Sequence, residues 1–140
     1  MKIDIIDYSI YGNTFDVLSN DLILACARKK GLRVALTKLE KNGPFPQCLS
    51  FAWLRFDLRN FFDLQRIMDY AAFLESGKCL VFPPSSAIDT AEDKWKTFKA
   101  LRAASVPTVD TFSLENLTEL KGPIVLKPRV GWGGAKSASS

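Results

Sequence analysis

The sequence predicts an α/β protein built on a small, mainly parallel sheet. Short apolar segments alternate with longer segments in which apolar residues recur every three or four positions. Glycine or proline separates most of these segments, as at turns between elements. Neighbouring parallel strands need a crossover connection between them, so strands that alternate with helices favour the α/β class.

Two strands and a helix are predicted in the first 37 residues. A strand is expected at residues 3–8, and a turn at residues 12–14 offers side chains that can cap the helix after it. Gly31 is expected to end that helix, and residues 33–37 form the second strand. The apolar stripe of the helix comprises Val17, Leu18, Leu22, Ala25 and Cys26.

A second strand–helix–strand unit follows a loop rich in proline and glycine. The third strand is predicted at residues 49–55, and the fourth at residues 79–82, where Pro83 and Pro84 stop it. Between them, Gly77 closes a helix whose apolar stripe comprises Leu64, Ile67, Met68, Ala71 and Leu74.

The character of the chain changes near residues 83–90, which predicts a domain of residues 1–84 and a second region of residues 85–140. In this second region we expect a helix capped by Asp89 or Thr90 with Trp95, Phe98 and Leu101 on one face, an extended segment at 109–112, a short helix at 114–120 and a strand at 124–126. Pro107 limits the first of these helices, because a residue before proline avoids helical geometry.

Composition excludes several kinds of chemistry. The chain has 140 residues and no histidine, so it has no Ser-His-Asp nucleophile and no His-ligated zinc. Its three cysteines, Cys26, Cys48 and Cys79, form no Cys-x-x-Cys motif, and we expect Cys26 and Cys79 to be buried free thiols. No catalytic residue and no metal ligand is predicted.

Charge and hydropathy restrict the classes of partner that the sequence predicts. A net charge of +4 is spread along the chain and is poor evidence for a nucleic-acid partner. No apolar run approaches the roughly 20 residues that span a bilayer. The N-terminus carries acids within its apolar stretch and does not resemble a signal peptide. We therefore expect a cytoplasmic setting without membrane partners.

Two lysines and a glycine cluster are candidates for binding phosphate. Lys94 lies at the start of a predicted helix, and Lys127 ends a predicted strand before Pro128. Taken alone, the two lysines fit ordinary solvated surface residues better than a phosphate site. Gly131, Gly133 and Gly134 permit a close approach of backbone amides to an anion, or simply a flexible turn.

Two further clusters each have two interpretations. Residues 9–14 resemble the phosphate loop of flavodoxins, but an ordinary strand-to-helix turn explains them better. Arg55, Asp57 and Arg59 follow the third strand, at the edge where open α/β sheets bind ligands. They fit a ligand site or a group of mutually paired surface charges.

The second region as a whole resembles the start of an ATP-grasp ligase, closest to the RimK-like ligases and glutathione synthetase. The resemblance rests on an ordered series of motifs: residues 81–84, Asp93-Lys94, Leu101, residues 106–108 with Thr111, residues 125–128 and residues 131–134. Several elements in the family's order over one region are much more specific than any one of them alone.

This resemblance implies a Rossmann-like preceding domain followed by the beginning of an ATP-grasp small lobe. Lys94 and Lys127 would contact ATP phosphates, and the loop with Gly131, Gly133 and Gly134 would close over them. Arg55 would be a candidate for binding a substrate carboxylate. In the family, ATP activates a carboxylate that an amine or thiol then attacks, usually forming an amide.

The resemblance also implies parts that the sequence does not supply. The family expects a further strand after the glycine loop, then an adenine-binding hinge and acidic residues that hold magnesium, and residues 135–140 match none of these. We therefore expect an N-terminal part of a ligase that binds ATP weakly at best, with magnesium required only by a complete enzyme. The alternatives are a flavodoxin-like flavin or nucleotide module and a non-enzymatic domain that self-associates through exposed sheet edges.

Overall fold

The computed structural model describes residues 2–8, 14–48, 50–113, 115, 122 and 124–131. Eight regular elements follow one another along these ranges. They are β1 (Lys2–Tyr8), α1 (Thr14–Lys29), β2 (Arg33–Lys38), β3 (Phe51–Phe56), α2 (Phe61–Ser76), β4 (Leu80–Phe82), α3 (Ser85–Glu92) and α4 (Lys94–Ala103).

The four strands form one parallel sheet in the order β2-β1-β3-β4. Ile3 of β1 is in register with Val34 of β2 and with Phe51 of β3, and Phe51 is in register with Leu80 of β4. Both edge strands expose apolar side chains, including Leu36 and Leu80. The predicted α/β class with a parallel sheet is confirmed.

The hydrophobic core lies between one face of the sheet and α2. Alternate residues of the strands point to this face, as the pleat requires. The strand residues of the core are Ile6, Tyr8, Ala52, Leu54 and Val81, and those of α2 are Leu64, Ile67, Tyr70, Ala71 and Leu74. Ile88 of α3 and Val130 join the same cluster. The division into residues 1–84 and 85–140 stays a prediction.

The amino end of α2 is fixed by a reciprocal cap. The side chain of Asn60 accepts a hydrogen bond from the Asp63 amide at 3.0 Å, and the Asp63 carboxylate accepts one from the Arg59 amide at 3.0 Å. Asp63 is fully buried and also accepts from the Tyr8 hydroxyl at 3.4 Å. This arrangement orients the chain that follows β3, at the carboxyl edge of the sheet.

Leu18, Leu22, Ala25 and Cys26 of helix α1 are exposed, which corrects one prediction. Asn20 and Ala27 are buried, whereas Leu18 and Leu22 are 62% and 65% exposed. Cys26 is exposed as well, so the expectation that it is buried is wrong, whereas Cys79 is buried as predicted. The helix carries apolar residues on two faces, and their period identifies a helix without showing which face meets the sheet.

Turns and caps differ in how well the sequence predicts them. Gly31 takes a positive φ of 69° just after α1 and ends it as predicted. The predicted cap at Asp89 or Thr90 is wrong, because α3 begins earlier, after Pro84, and both residues lie inside it. Pro84 is the N-cap residue of α3 and provides no side-chain hydrogen bond to the helix.

The predicted strand at residues 124–126 does not form. Residues 124–128 lie outside any strand, and Val125 and Leu126 are exposed, so they add no fifth strand to the described sheet. Residues 109–112, which are predicted only to be extended, belong to no regular element. An apolar segment forms a strand only where a neighbouring strand is available to pair with it. The short helix predicted at residues 114–120 lies almost wholly outside the described residues.

Within the part of the chain that the structure describes, no helix is both long enough and apolar enough to cross a membrane.

Candidate nucleotide site

The amino end of α4 carries Lys94, one of the residues predicted to bind phosphate. Asp93 precedes the helix in extended geometry, and its Oδ1 accepts hydrogen bonds from the amides of Trp95 at 3.0 Å and Lys96 at 3.3 Å. These amides have no partner within the helix, so a carboxylate at this position stabilises the first turn. The side chain of Asp93 is only 1% exposed.

Arg129 pairs with this buried carboxylate. Its Nε donates to Asp93 Oδ1 at 3.0 Å, its Nη2 donates to Oδ2, and its guanidinium lies 5.1 Å from the ring centroid of Phe61. Burial alone would raise the pKa of Asp93. The hydrogen bond from Arg129 and those from the two amides nevertheless hold that pKa below its ordinary value. Asp93 is therefore a charged anchor for the chain at residue 129.

The two residues after Arg129 are anchored by packing. Val130 is 3% exposed and belongs to the core formed by the sheet and α2. Gly131 has a φ of 130°, and a Cβ there would lie 3.4 Å from the carbonyl oxygen of Arg59. A side chain at this position would be strained by the backbone and crowded by that carbonyl. Glycine is therefore required where the chain passes β3's carboxyl end.

Lys94 donates two hydrogen bonds to this anchored segment. Its amide donates to the Arg129 carbonyl at 3.0 Å, and its Nζ donates to the Gly131 carbonyl at 2.8 Å. The structure thus brings together Lys94 and Gly131, two of the residues predicted to contact phosphate. The ammonium is held at the first glycine of the predicted loop.

The family comparison addresses this same stretch of chain. Residues 91–139 match the model of the ATP-grasp domain. The resemblance to the ATP-grasp family is confirmed. No curated protein matches the sequence.

Solved ATP-grasp structures share the fold. A RimK domain ATP-grasp protein from Sphaerobacter thermophilus superposes with a TM-score of 0.65 at 16% identity, over 99% of this chain and 53% of that one. D-alanine–D-alanine ligase from Bacillus anthracis gives a TM-score of 0.62 at 18% identity, over 94% of this chain and 47% of that one. At these identities the likeness concerns the fold, and the chain spans about half the length of both structures.

The other predicted phosphate residues of the ATP-grasp segment are less defined. Lys127 is exposed in the strandless stretch at residues 124–128. Gly133 and Gly134 lie outside the described residues, as do residues 9–13, which carry most of the flavodoxin-like loop. Among the described residues that are predicted to bind phosphate, Lys94 and Gly131 are the two that the structure brings into contact.

Arg55 is turned toward α1. Its Nη1 donates to Asn20 Oδ1 at 2.5 Å and its Nη2 to Ser19 Oγ at 2.7 Å. The neighbouring charges pair with each other, with Arg59 Nη2 3.0 Å from Asp57 Oδ2. The predicted cluster is therefore divided, because Arg55 ties α1 to β3 whereas Asp57 and Arg59 pair with each other.

Asp93 and Arg129 are the residues that sequence reasoning missed. Asp93 is part of the prediction only through the Asp93-Lys94 motif, although aspartate is among the best N-cap residues and a helix directly follows it. Arg129 lies between Pro128 and the glycine cluster with no local pattern to indicate its partner. Their contact spans 36 positions of the chain, which no local signal reveals.

Magnesium has no evident protein ligands in the described ranges. No group of three or more His, Cys, Asp or Glu side chains there is placed to hold a metal ion. The carboxylates near Lys94 also have other roles: Asp93 is occupied by Arg129 and the helix amides. Among the described residues, the side chains near Lys94 therefore do not form a set of ligands for a metal ion.

Proposed function

We propose that this chain supplies part of the ATP phosphate site of an ATP-dependent ligase that joins a carboxylate to an amine. Lys94 and Lys127 contact the phosphates, and the loop containing Gly131, Gly133 and Gly134 covers them. The observation that carries this proposal is the hydrogen bond between Lys94 Nζ and the Gly131 carbonyl, within the segment that matches the ATP-grasp domain.

The donors available near Lys94 suit a polyphosphate. An ammonium has three N–H donors, and the Gly131 carbonyl occupies one of them. Asp93 already occupies the amides of Trp95 and Lys96, so the end of α4 offers an anion less than an uncapped helix would. Phosphate binding therefore falls to the side chain of Lys94 and to the loop that begins at Gly131.

Asp93 and Arg129 act as positioning residues in this proposal. Their ion pair fixes the backbone of residue 129 beside α4, and the Lys94 amide holds the same backbone at 3.0 Å. When bound, ATP would supply the phosphoryl group that activates a carboxylate. This chain's own contribution is to bind and orient the phosphates, because pre-positioned cations lose little freedom on binding.

Arg55 stays a prediction as the contact for a substrate carboxylate. Both of its Nη atoms donate within the chain, to Asn20 and Ser19. A substrate carboxylate would have to replace one or both of these acceptors. An Arg55→Lys variant, which loses the forked geometry, tests this role by its effect on carboxylate binding.

Titration of the protein with ATP, ADP and AMP tests the phosphate proposal. Because the proposed contacts are to phosphates, affinity should fall in the order ATP, ADP, AMP, with each step reflecting lost charge-assisted hydrogen bonds. Isothermal calorimetry with and without magnesium measures this order. Equal affinities for ATP and AMP would contradict phosphate recognition at Lys94, and so would binding of none of the three.

A second candidate function is self-association through α1. The outer face of α1 (Leu18, Leu22, Ala25 and Cys26) is exposed and apolar. Exposed Asp21 and Arg28 lie beside it. In an antiparallel pair of α1 helices from two copies, centred between residues 24 and 25, Asp21 of one copy lies across from Arg28 of the other. This charge complementarity favours a second copy as the occupant.

Sedimentation velocity over a range of concentrations tests self-association. The wild type and a Val109→Ser control, altered at an exposed residue away from α1, should form dimers as concentration rises. Leu22→Ser should remain monomeric, because it places a hydroxyl in the centre of the apolar face. A wild type that stays monomeric at every concentration would contradict this candidate.

A further inference from the structure

Two buried cysteines meet at the amino edge of the sheet. Cys48 lies shortly before β3 and Cys79 lies directly before β4, and the two strands are parallel neighbours. The Cys79 thiol donates to Cys48 Sγ with the sulfurs 3.2 Å apart. The side chains are nearly enclosed, since Cys48 is 6% and Cys79 is 5% exposed.

The backbone around this pair is fixed by the fold. The Leu80 amide donates to the Ser50 carbonyl at 2.9 Å, which sets the register of β4 against β3 next to both thiols. The Cys79 amide donates to the Leu74 carbonyl at 3.0 Å, which ties the same position to the end of α2. The nearness of the two thiols is therefore a consequence of the strand register.

The Cys48 thiol lies beside a carboxylate that has an ionic partner of its own. The Cys48 thiol donates to Asp4 Oδ2 at 3.3 Å, and Asp4 Oδ1 also pairs with Lys2 Nζ at 2.7 Å. Asp4 would keep an ionic partner if the thiol hydrogen were removed. Burial first, and then the hydrogen bond from Cys79, raise the pKa of the Cys48 thiol to about 12, so its thiolate is scarce and its reactions are slow.

We propose that Cys48 and Cys79 are a site of reversible disulfide formation within one chain. A disulfide bond is about 2.05 Å long, so the sulfurs need to approach by only roughly 1 Å. The oxidant is a small disulfide such as oxidised glutathione. This proposal is independent of ATP binding, because the pair lies at the opposite edge of the sheet from the Arg59 carbonyl that contacts Gly131.

The oxidation of the two thiols takes place in two displacement steps. One protein thiol, as its thiolate, attacks a sulfur of glutathione disulfide, which forms a mixed disulfide and releases one glutathione. The second protein thiolate attacks the protein sulfur of that mixed disulfide, which forms the Cys48–Cys79 bond and releases the second glutathione. The protein loses two electrons and two protons, and glutathione disulfide gains them.

Differential alkylation after oxidation tests the proposal. The folded protein is incubated with oxidised glutathione for hours, free thiols are blocked under denaturing conditions, and the peptides are mapped by mass spectrometry. We expect wild type and the matched control Cys26→Ser, altered at the exposed cysteine, to show a Cys48–Cys79 disulfide. Reduction with dithiothreitol should return both thiols.

A thermal measurement gives a second readout. A disulfide across β3, α2 and the start of β4 restricts the unfolded chain, so oxidation should raise the melting temperature of wild type and of Cys26→Ser by about 5–10 °C. Cys48→Ser and Cys79→Ser should show no such rise. The proposal is overturned if Cys48 and Cys79 are both alkylated after oxidation of the wild type, or if either is recovered only as a mixed disulfide with glutathione.

Discussion

The chain at residues 124–131 divides into an anchored part and an exposed part. Residues 129–131 are held by the Asp93 ion pair, by burial of Val130 and by the Lys94 ammonium. Residues 124–128, which include Lys127, form no strand and are mostly exposed. The fold therefore holds the Lys94 side chain in place, whereas Lys127 lies in the exposed stretch.

This contrast predicts that Lys94 and Lys127 contribute unequally to the proposed binding of ATP. A cation that the fold already holds loses little side-chain freedom on binding, while an exposed lysine without such a contact loses more. The anchor of the first cation is Asp93, which is almost fully buried and which Arg129 neutralises. Variants of the anchor should have the largest effects on stability, and variants of the exposed stretch the smallest.

Asp93→Ala should cause the greatest loss of stability. It removes the cap of α4 and leaves Arg129 without its buried partner, so the free energy of unfolding should fall by about 3 kcal/mol. Urea denaturation measures this. Asp110→Ala is the matched control, since Asp110 forms an exposed ion pair with Arg102 at 3.7 Å, and it should change stability by less than about 1 kcal/mol. Similar losses in both variants would show that Asp93 is no anchor.

Gly131→Ala should have the next largest effect. The positive φ of 130° opposes alanine, and so does the Arg59 carbonyl oxygen, which would lie 3.4 Å from the new methyl group, so unfolding should become easier by about 2 kcal/mol. Gly77→Ala provides the control, because Gly77 has a negative φ of −79°. A Gly131→Ala protein as stable as the Gly77→Ala protein would mean that residue 131 is not packed against β3's carboxyl end.

Acidity should weaken the anchor over a defined range. Because the folded-state pKa of Asp93 lies below its ordinary value of 3.8, its charged form stabilises the fold above that value. This contribution disappears as pH falls through the lower folded-state pKa. The stability difference between wild type and Asp93→Asn should be constant from neutral pH to about pH 5 and shrink below about pH 4. A difference that grows on acidification would contradict the ion pair.

The sequence predicts the sheet well because its strands and crossover helices have local signals. β1, β2, β3 and β4 are apolar runs bounded by turn residues, and Gly31 ends α1 where the pattern indicates. It predicts Lys94 and Gly131 as members of one site through the order of the family motifs. The strands, the turns and the motifs are each defined by residues that are close together in the sequence.

What the sequence does not reveal depends on distant contacts. The pairing of Asp93 with Arg129 and the burial of Val130 join parts of the chain that no local pattern connects. Val125 and Leu126 look like a strand, but an apolar run becomes a strand only beside a partner. Cys26 looks buried because it lies in an apolar helix, yet tertiary packing presents the opposite face of α1 to the sheet.

The most direct test of the proposed site is the ATP affinity of Lys94→Ala beside that of Lys127→Ala and Lys30→Ala. Lys30 is an exposed lysine after α1 and serves as the matched control. We expect Lys94→Ala to weaken ATP binding at least about tenfold, Lys127→Ala to weaken it less, and Lys30→Ala to leave it unchanged. A folded Lys94→Ala protein that binds ATP as tightly as wild type would contradict the account.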